Sequence, residues 1–211
     1  MKLPAYLHGH DLWAITSCFN PVRYRLQLSN FRTFRKRLKV PLVVVELSYG
    51  DDFELQEPDA DILIQLRGGA ALWQKEQLLN LALQALPESC RHVAWLDCDV
   101  LFSSEDWADS TVRRLERFAI IQLFNNVHYL PSDCSAPCSP TDAELTRPSA
   151  AFSIASGIPP TTAIGHAQNT REGSSATGFA WTASRKLLDQ HKFFDACILN
   201  GGDRAMNCVA T

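Results

Sequence analysis

Pro41–Leu47 reads PLVVVEL, a run of apolar and β-branched residues with almost none of the apolar–polar alternation of a sheet that faces water on one side. A strand like this is buried on both faces. Sheets buried on both faces are mainly parallel, because their crossover helices cover them. Other short apolar runs follow suit: Leu12–Thr16 (LWAIT), Asp61–Leu66 (DILIQL), His92–Leu96 (HVAWL), Ala119–Phe124 (AIIQLF) and Gly178–Thr182 (GFAWT). Between them lie stretches of helical period. Tyr24, Leu28, Phe31, Phe34 or Arg35, and Leu38 form one stripe, with Asn20 expected as helix cap and Pro21 at the first helical position. Leu79, Ala82, Leu83 and Leu86 form a second stripe, ended by Pro87. Arg113–Phe118 is helical in character, and a further helix through Leu187 and Leu188 is expected to be capped by Thr182 or Ser184. The expectation is a single α/β domain over residues 1–211, with a mainly parallel central sheet flanked by helices. Ligands of such sheets bind beyond the carboxyl ends of the strands.

The stretch 131–177 breaks this rhythm. It is rich in Pro, Ser, Thr and Ala and has little periodicity, so it reads as a long polar loop or insertion.

Composition narrows the function. The chain has 211 residues, 46% of them hydrophobic, and a net charge of −3, which gives no reason to expect nucleic acid or an anionic membrane as the main partner. Its apolar runs fall well short of the roughly 20 residues a membrane span needs, and Met1–His10 lacks the apolar core of a secretory signal. Seven scattered cysteines suit a reducing, cytoplasmic setting better than a disulfide framework. The close pair Cys134 and Cys138 lacks the further ligands that zinc requires. The six histidines show no metal-ligand spacing. Arg25, Arg32, Lys36 and Lys39 form a basic helix face, read either as phosphate attraction or, as the amphipathic pattern favours, as a solvated surface.

The sharpest chemical signal is Ala94–Phe102, AWLDCDVLF. Asp97 and Asp99, two apart in extended chain, project to the same side. There they can hold a hard divalent cation and leave positions open for diphosphate oxygens. On spacing alone, turn-forming or helix-capping aspartates remain an equal alternative. Asp203, in NGGDR, is read as a general base toward an acceptor hydroxyl or as the N-cap of a terminal helix, with Gly202 allowing close backbone approach. Arg67 and Lys75, in RGGAALWQKE, either offer positive charge to phosphates or mark a plain loop-to-helix junction.

Taken in order, ITSCFNPVRYR, VVVELSYGDD, ILIQLRGGAALWQKEQLLNLAL, AWLDCDVLF and TGFAWTASRKLLDQHKFFDACILNGGDRAM resemble the successive blocks of GT-A glycosyltransferases. They are close to the large inverting family and its galactosyltransferase-like relatives, in a bacterial-type branch. The resemblance covers nearly all of the chain outside 131–177. It implies a GT-A nucleotide-diphospho-sugar transferase fold and a hexosyltransferase-type activity: metal-dependent, inverting transfer from a nucleotide-diphosphate sugar to an acceptor hydroxyl on a glycan, lipid or protein. It implies that Asp97 and Asp99 are the metal-binding DxD motif for manganese or magnesium, with Asp99 the direct ligand. It places Glu46 at the nucleoside, Arg67 and Lys75 at the nucleotide or diphosphate, and Gly178, Phe179, Ala180 and Trp181 at the donor-sugar and acceptor wall. Asp203, beside Gly202, is its catalytic base. Such relatives carry a further metal ligand, commonly a histidine, downstream of that block. The chain ends at Thr211 without one, so a C-terminal truncation is the expectation. The expected location is the cytoplasm, at the inner membrane surface.

Three alternatives stay open. A haloacid-dehalogenase-like phosphatase would use Asp97 as nucleophile and Asp99 as acid and base, but its motif belongs on a first strand. A sugar-nucleotide-forming nucleotidyltransferase needs a glycine- and arginine-rich loop after the first strand, which Ser17–Arg23 is not. The third is an inactive fragment that binds a nucleotide sugar without turnover.

Overall fold

The computed structural model of the chain describes residues 9–69, 72, 74–132, 139–165, 175–197 and 202–204. Contacts divide the chain into two compact units, Met1–Ile121 with Phe179–Gly202, and Gln122–Gly178 with Asp203–Thr211.

The first unit is built on β1 (Leu12–Phe19), α1 (Arg25–Arg37), β2 (Leu42–Ser48), β3 (Ile62–Arg67), α2 (Lys75–Gln84), β4 (His92–Leu96), α3 (Trp107–Leu115), β5 (Ile120–Gln122, whose last residue is counted with the second unit), β8 (Ala180–Ser184) and α6 (Arg185–His191). Its six-stranded sheet has the order β3-β2-β1-β4-β8-β5. The pairs β1–β2, β2–β3 and β1–β4 are parallel, and β4–β8 is antiparallel. The mainly parallel α/β architecture is therefore the one the apolar runs imply. Trp13, Ala14, Ile15 and Leu42–Val45 are fully buried, as strands covered on both faces must be. Leu78, Leu79, Ala82 and Leu83 are the buried side of α2, which packs against β1 and β2.

The strand order reverses at β1. The chain steps outward through β2 and β3, then returns to place β4 on the other side of β1. In open α/β sheets the crevice at such a switch point, past the carboxyl ends of the strands, receives the ligand. Thr16 Oγ1 donates to the Leu96 carbonyl at 2.6 Å and locks β1 to β4 just below it.

Several boundaries differ from the sequence reading. β1 runs on to Phe19 because Ser17, Cys18 and Phe19 pair with Val45, Glu46 and Leu47, a long-range partnership that overrides their turn-like composition. α1 starts at Arg25, and Pro21 lies outside it. Asn20 does not cap the helix. Its side chain accepts from Tyr24 N at 2.8 Å, donates to Tyr24 O at 3.1 Å, and donates to Glu54 at 2.8 Å, so it closes the turn that precedes α1. Tyr24 is exposed, while Phe31 and Phe34 carry the buried stripe. Truncating either phenylalanine to Ala would cost about 3–5 kcal/mol. α3 begins at Trp107, whose ring stacks on Phe102 with centroids 4.2 Å apart, so an aromatic anchor sets its start. Ser184 caps α6 by accepting from Leu187 N, one of the two caps expected.

The second unit contains the antiparallel pair β6 (Asn126–Tyr129) and β7 (Leu145–Pro148), with α4 (Ala150–Ala155) and α5 (Pro160–Ala163). Much of the described part of 131–177 is thus regular structure in short pieces, too short to show a period. Gln122 organises the unit from within, donating to Ala176 O at 2.9 Å and accepting from Ala151 N at 3.0 Å.

Candidate functional site

Asp97 is the first residue past β4, and Cys98 and Asp99 form the turn that follows. The turn is held at its start, where Asp97 N donates to the Phe179 carbonyl at 2.7 Å, just before β8 begins. Phe179 has φ +74°, a left-handed conformation that costs a non-glycine residue about 1–2 kcal/mol. The strain sits directly against the aspartate pair.

Lys75, the first residue of α2, reaches Asp97 with Nζ 2.6 Å from Oδ1. The sequence motif and the loop-to-helix junction are therefore one cluster in space. Asp99 is exposed as a residue. Its carboxyl nonetheless titrates above the ordinary carboxylate range, first because the surrounding protein shields it from water and then because Asp97 repels a second charge. Burial pushes the Cys98 thiol between them up to about 12, and the two carboxylates add to the shift.

Two carboxylates of this kind are hard oxygen donors, suited to magnesium or manganese. Among the described residues, no group of three or more His, Cys, Asp or Glu side chains gathers as a metal site. The donor set on offer is Asp99, with Asp97 shared with Lys75. It fits a cation that takes its remaining ligands from phosphate and water, as magnesium does.

The next crevice, at the carboxyl ends of β1 and β2, is lined by Cys18, Asn20, Arg23, Glu46, Ser48 and Glu54. Glu46 is buried there. Its carboxylate accepts from Glu54 N at 2.6 Å and from Gln65 Nε2 at 2.9 Å, and it also receives Leu55 N. It therefore anchors the loop after β2 as part of the crevice wall. Arg67, at the end of β3, is exposed, and its guanidinium lies 4.7 Å from the centre of the Phe53 ring. Gly68 and Gly69 follow with φ +80° and +96°, conformations a side chain would strain.

No protein-family model and no curated protein matches the chain. Similar solved structures include S. aureus TarS 1–349, at 14% identity and TM-score 0.48, covering 95% of this chain and 55% of that one. A mannosyltransferase from Pyrobaculum calidifontis, in complex with GDP-Man and Mn2+, is 16% identical with TM-score 0.49, covering 93% of this chain and 50% of that one. A 4-diphosphocytidyl-2C-methyl-D-erythritol synthase from Anaerococcus prevotii is 12% identical with TM-score 0.42, covering 85% of this chain and 74% of that one. The chain spans about half the length of TarS 1–349 and of the mannosyltransferase.

In the second unit, Gly178 and Asp203 meet. A Cβ at position 178 would fall 2.7 Å from Asp203 Oδ2, so any larger residue there would push that carboxylate aside. In the first unit, Gly202 lies against Glu76, whose Oε1 would be 2.0 Å from an added Cβ. Ala180 and Trp181 are buried in β8, and Trp181 stacks on Trp95 across the strand pair with centroids 6.3 Å apart. Both serve the core beneath the aspartate turn.

One residue went unnoticed in the sequence and another was misread. Glu76 is a buried acid in the first turn of α2, adjacent to Lys75. A glutamate near a helix start is ordinary, and nothing in its spacing marks it. Asn20 read as a cap, and its place in the crevice follows only from the pairing of β1 with β2. The phosphatase reading required Asp97 on the first strand of the chain, but it follows the fourth.

Proposed function

We propose that the chain is the nucleotide-sugar-binding part of a GT-A-type glycosyltransferase, which transfers a sugar from a nucleotide-diphosphate donor to an acceptor hydroxyl with inversion. One observation carries the reading: Asp97 and Asp99 lie together just past β4, beside the β1–β4 switch point, with Lys75 paired to Asp97. That arrangement suits a diphosphate, which brings negative charge and needs both a cation and a nearby ammonium.

A manganese or magnesium ion held by Asp99, with Asp97 in support, would supply neutralising charge for the departing diphosphate. Lys75 keeps Asp97 oriented and adds positive charge at the phosphates, and Arg67 adds more from the end of β3. Glu46 holds the crevice wall against which a nucleoside would rest. We assign Gly178 to the donor-sugar and acceptor wall, while Ala180 and Trp181, buried in β8, support the aspartate turn from the core. Gly202 lets Glu76 pack closely against the backbone just before Asp203. Asp203 takes the proton of the acceptor hydroxyl as its oxygen bonds to the anomeric carbon. The bond from that carbon to the diphosphate breaks, and the nucleoside diphosphate leaves. The acceptor is a glycan, lipid or protein hydroxyl. The setting we propose is the cytoplasm, at the inner membrane surface.

The test is calorimetric titration of UDP and GDP, each with and without manganese, into the wild type and Asp99→Asn. Binding that needs both the metal and Asp99 supports the reading. If folded wild-type protein binds neither nucleotide, the reading fails.

A further inference from the structure

Charge is distributed very unevenly along this chain. Leu12–Val45 contains seven of the 20 Lys and Arg residues and none of the 23 Asp and Glu residues, so it carries +7 while the rest of the chain carries −10. The charge concentrates on α1 and the turn before it. Arg25, Arg32 and Lys36 are exposed and recur at i, i+7 and i+11, which sets them on one stripe about 16 Å long. Arg35 is paired with Asp61 and Lys39 with Glu105. Arg25, Arg32, Lys36 and Arg37 have no ion pair among the described residues.

Helix stability accounts for only part of this. Arg35, Lys36 and Arg37 in the last turn complement the helix dipole. Arg25 in the first turn opposes it, and no acidic residue there compensates. Beside Arg25 stand three large apolar side chains in the open: Val22 is 63% exposed, Tyr24 66% and Leu26 50%. Arg23 and Arg25 alternate with them in Val22–Leu26, VRYRL. Cations alone would suit any polyanion. Apolar and aromatic side chains interleaved with them gain from a partner only if it has an apolar interior beneath an anionic surface, which is what a lipid bilayer offers.

We infer that α1 and the preceding turn dock this protein on an anionic lipid surface, with Arg25, Arg32 and Lys36 on the headgroups and Val22, Tyr24 and Leu26 inserted between them. The docking is independent of the transfer chemistry, so it stands or falls without the nucleotide reading.

The test is sedimentation of the full chain with vesicles of equal phosphatidylglycerol and phosphatidylcholine, against vesicles of phosphatidylcholine alone. Binding is expected only to the former, weakening as salt rises. Each basic residue near the surface contributes roughly fivefold, so R25E/R32E/K36E should bind at least about 100-fold more weakly. V22S/Y24S/L26S should lose about tenfold or more, because the inserted area is gone. If the reversal variant fails to fold, R25Q/R32Q/K36Q gives the same direction with a smaller loss. Wild-type protein that stays in the supernatant with phosphatidylglycerol vesicles overturns the proposal. So does V22S/Y24S/L26S binding as tightly as wild type with soluble polyphosphate competing fully, which would make the stripe a site for soluble polyanions.

Discussion

The backbone N–H of Asp97 donates to the carbonyl of Phe179 across 2.7 Å, and Phe179 makes that carbonyl available while held at φ +74°. The residues are 82 positions apart in sequence. The register of β4 against β8 joins them, and the strained residue fixes where the aspartate turn leaves the sheet. The strain predicts a specific ordering of variants. Phe179→Gly and Phe179→Ala both lose the ring, but only glycine adopts this φ without penalty. The glycine variant should be the more stable of the two by about 1 kcal/mol in urea unfolding. An equal or inverted order would show that the left-handed conformation costs nothing here.

Gly178 and Asp203 predict a shared kinetic signature. A methyl group at 178 would collide with the Asp203 carboxylate. Gly178→Ala should therefore reproduce the effect of Asp203→Asn: nucleotide binding retained, and transfer reduced by about 10²–10⁴-fold, the usual contribution of a general base. Calorimetry and a transfer assay on the same preparations separate the two quantities. Transfer left intact by Asp203→Asn would remove Asp203 from the role of base.

Asp61 predicts a stability difference between two partners of one ion pair. Its carboxylate accepts from Leu42 N at 2.8 Å and from Arg35 at 2.9 Å, tying α1 to the start of β2. Asp61→Ala strands a backbone N–H as well as the guanidinium and should cost about 1–3 kcal/mol. Arg35→Ala leaves the backbone bond in place and should cost under about 1 kcal/mol. Denaturant midpoints of the two variants decide this, and equal losses would count against the account.

Cys90 predicts a pH dependence. Burial pushes its thiol up to about 11, against about 8.5 in an unfolded chain. Above the unfolded value the unfolded state holds fewer protons than the folded one, so stability is lost as pH rises. The contribution is fully present below about pH 8.5 and falls by up to about 1.4 kcal/mol per pH unit until the folded thiol ionises. Unfolding curves for wild type and Cys90→Ala at neutral pH and near pH 10 should show a shallower decline in the variant. Parallel declines would mean that Cys90 does not contribute.

What could be read from the residues alone was whatever burial writes locally. A strand covered on both faces must be apolar throughout, so Val43–Val45 and Val93–Leu96 announced themselves, and with them the α/β class and the position of Asp97 and Asp99 past a strand end. Ser184 was legible as a cap because a short hydroxyl before a helical stripe can satisfy an orphan N–H within three residues. Contacts between residues distant in sequence left no such trace. That Lys75 meets Asp97, that Gly178 meets Asp203, and that Glu46 spends its carboxylate on the loop at Glu54 and Leu55 all depend on strand order and register. Asn20 shows the limit most clearly. The same side chain that caps helices elsewhere closes a turn here, because β2 brings Glu54 within reach and β1 runs on to Phe19. Local sequence specified which segments are strands and where carboxylates end them. Only the pairing of distant strands, driven by burial of their shared faces, decided which of those carboxylates stand next to a cation, a glycine or a backbone N–H.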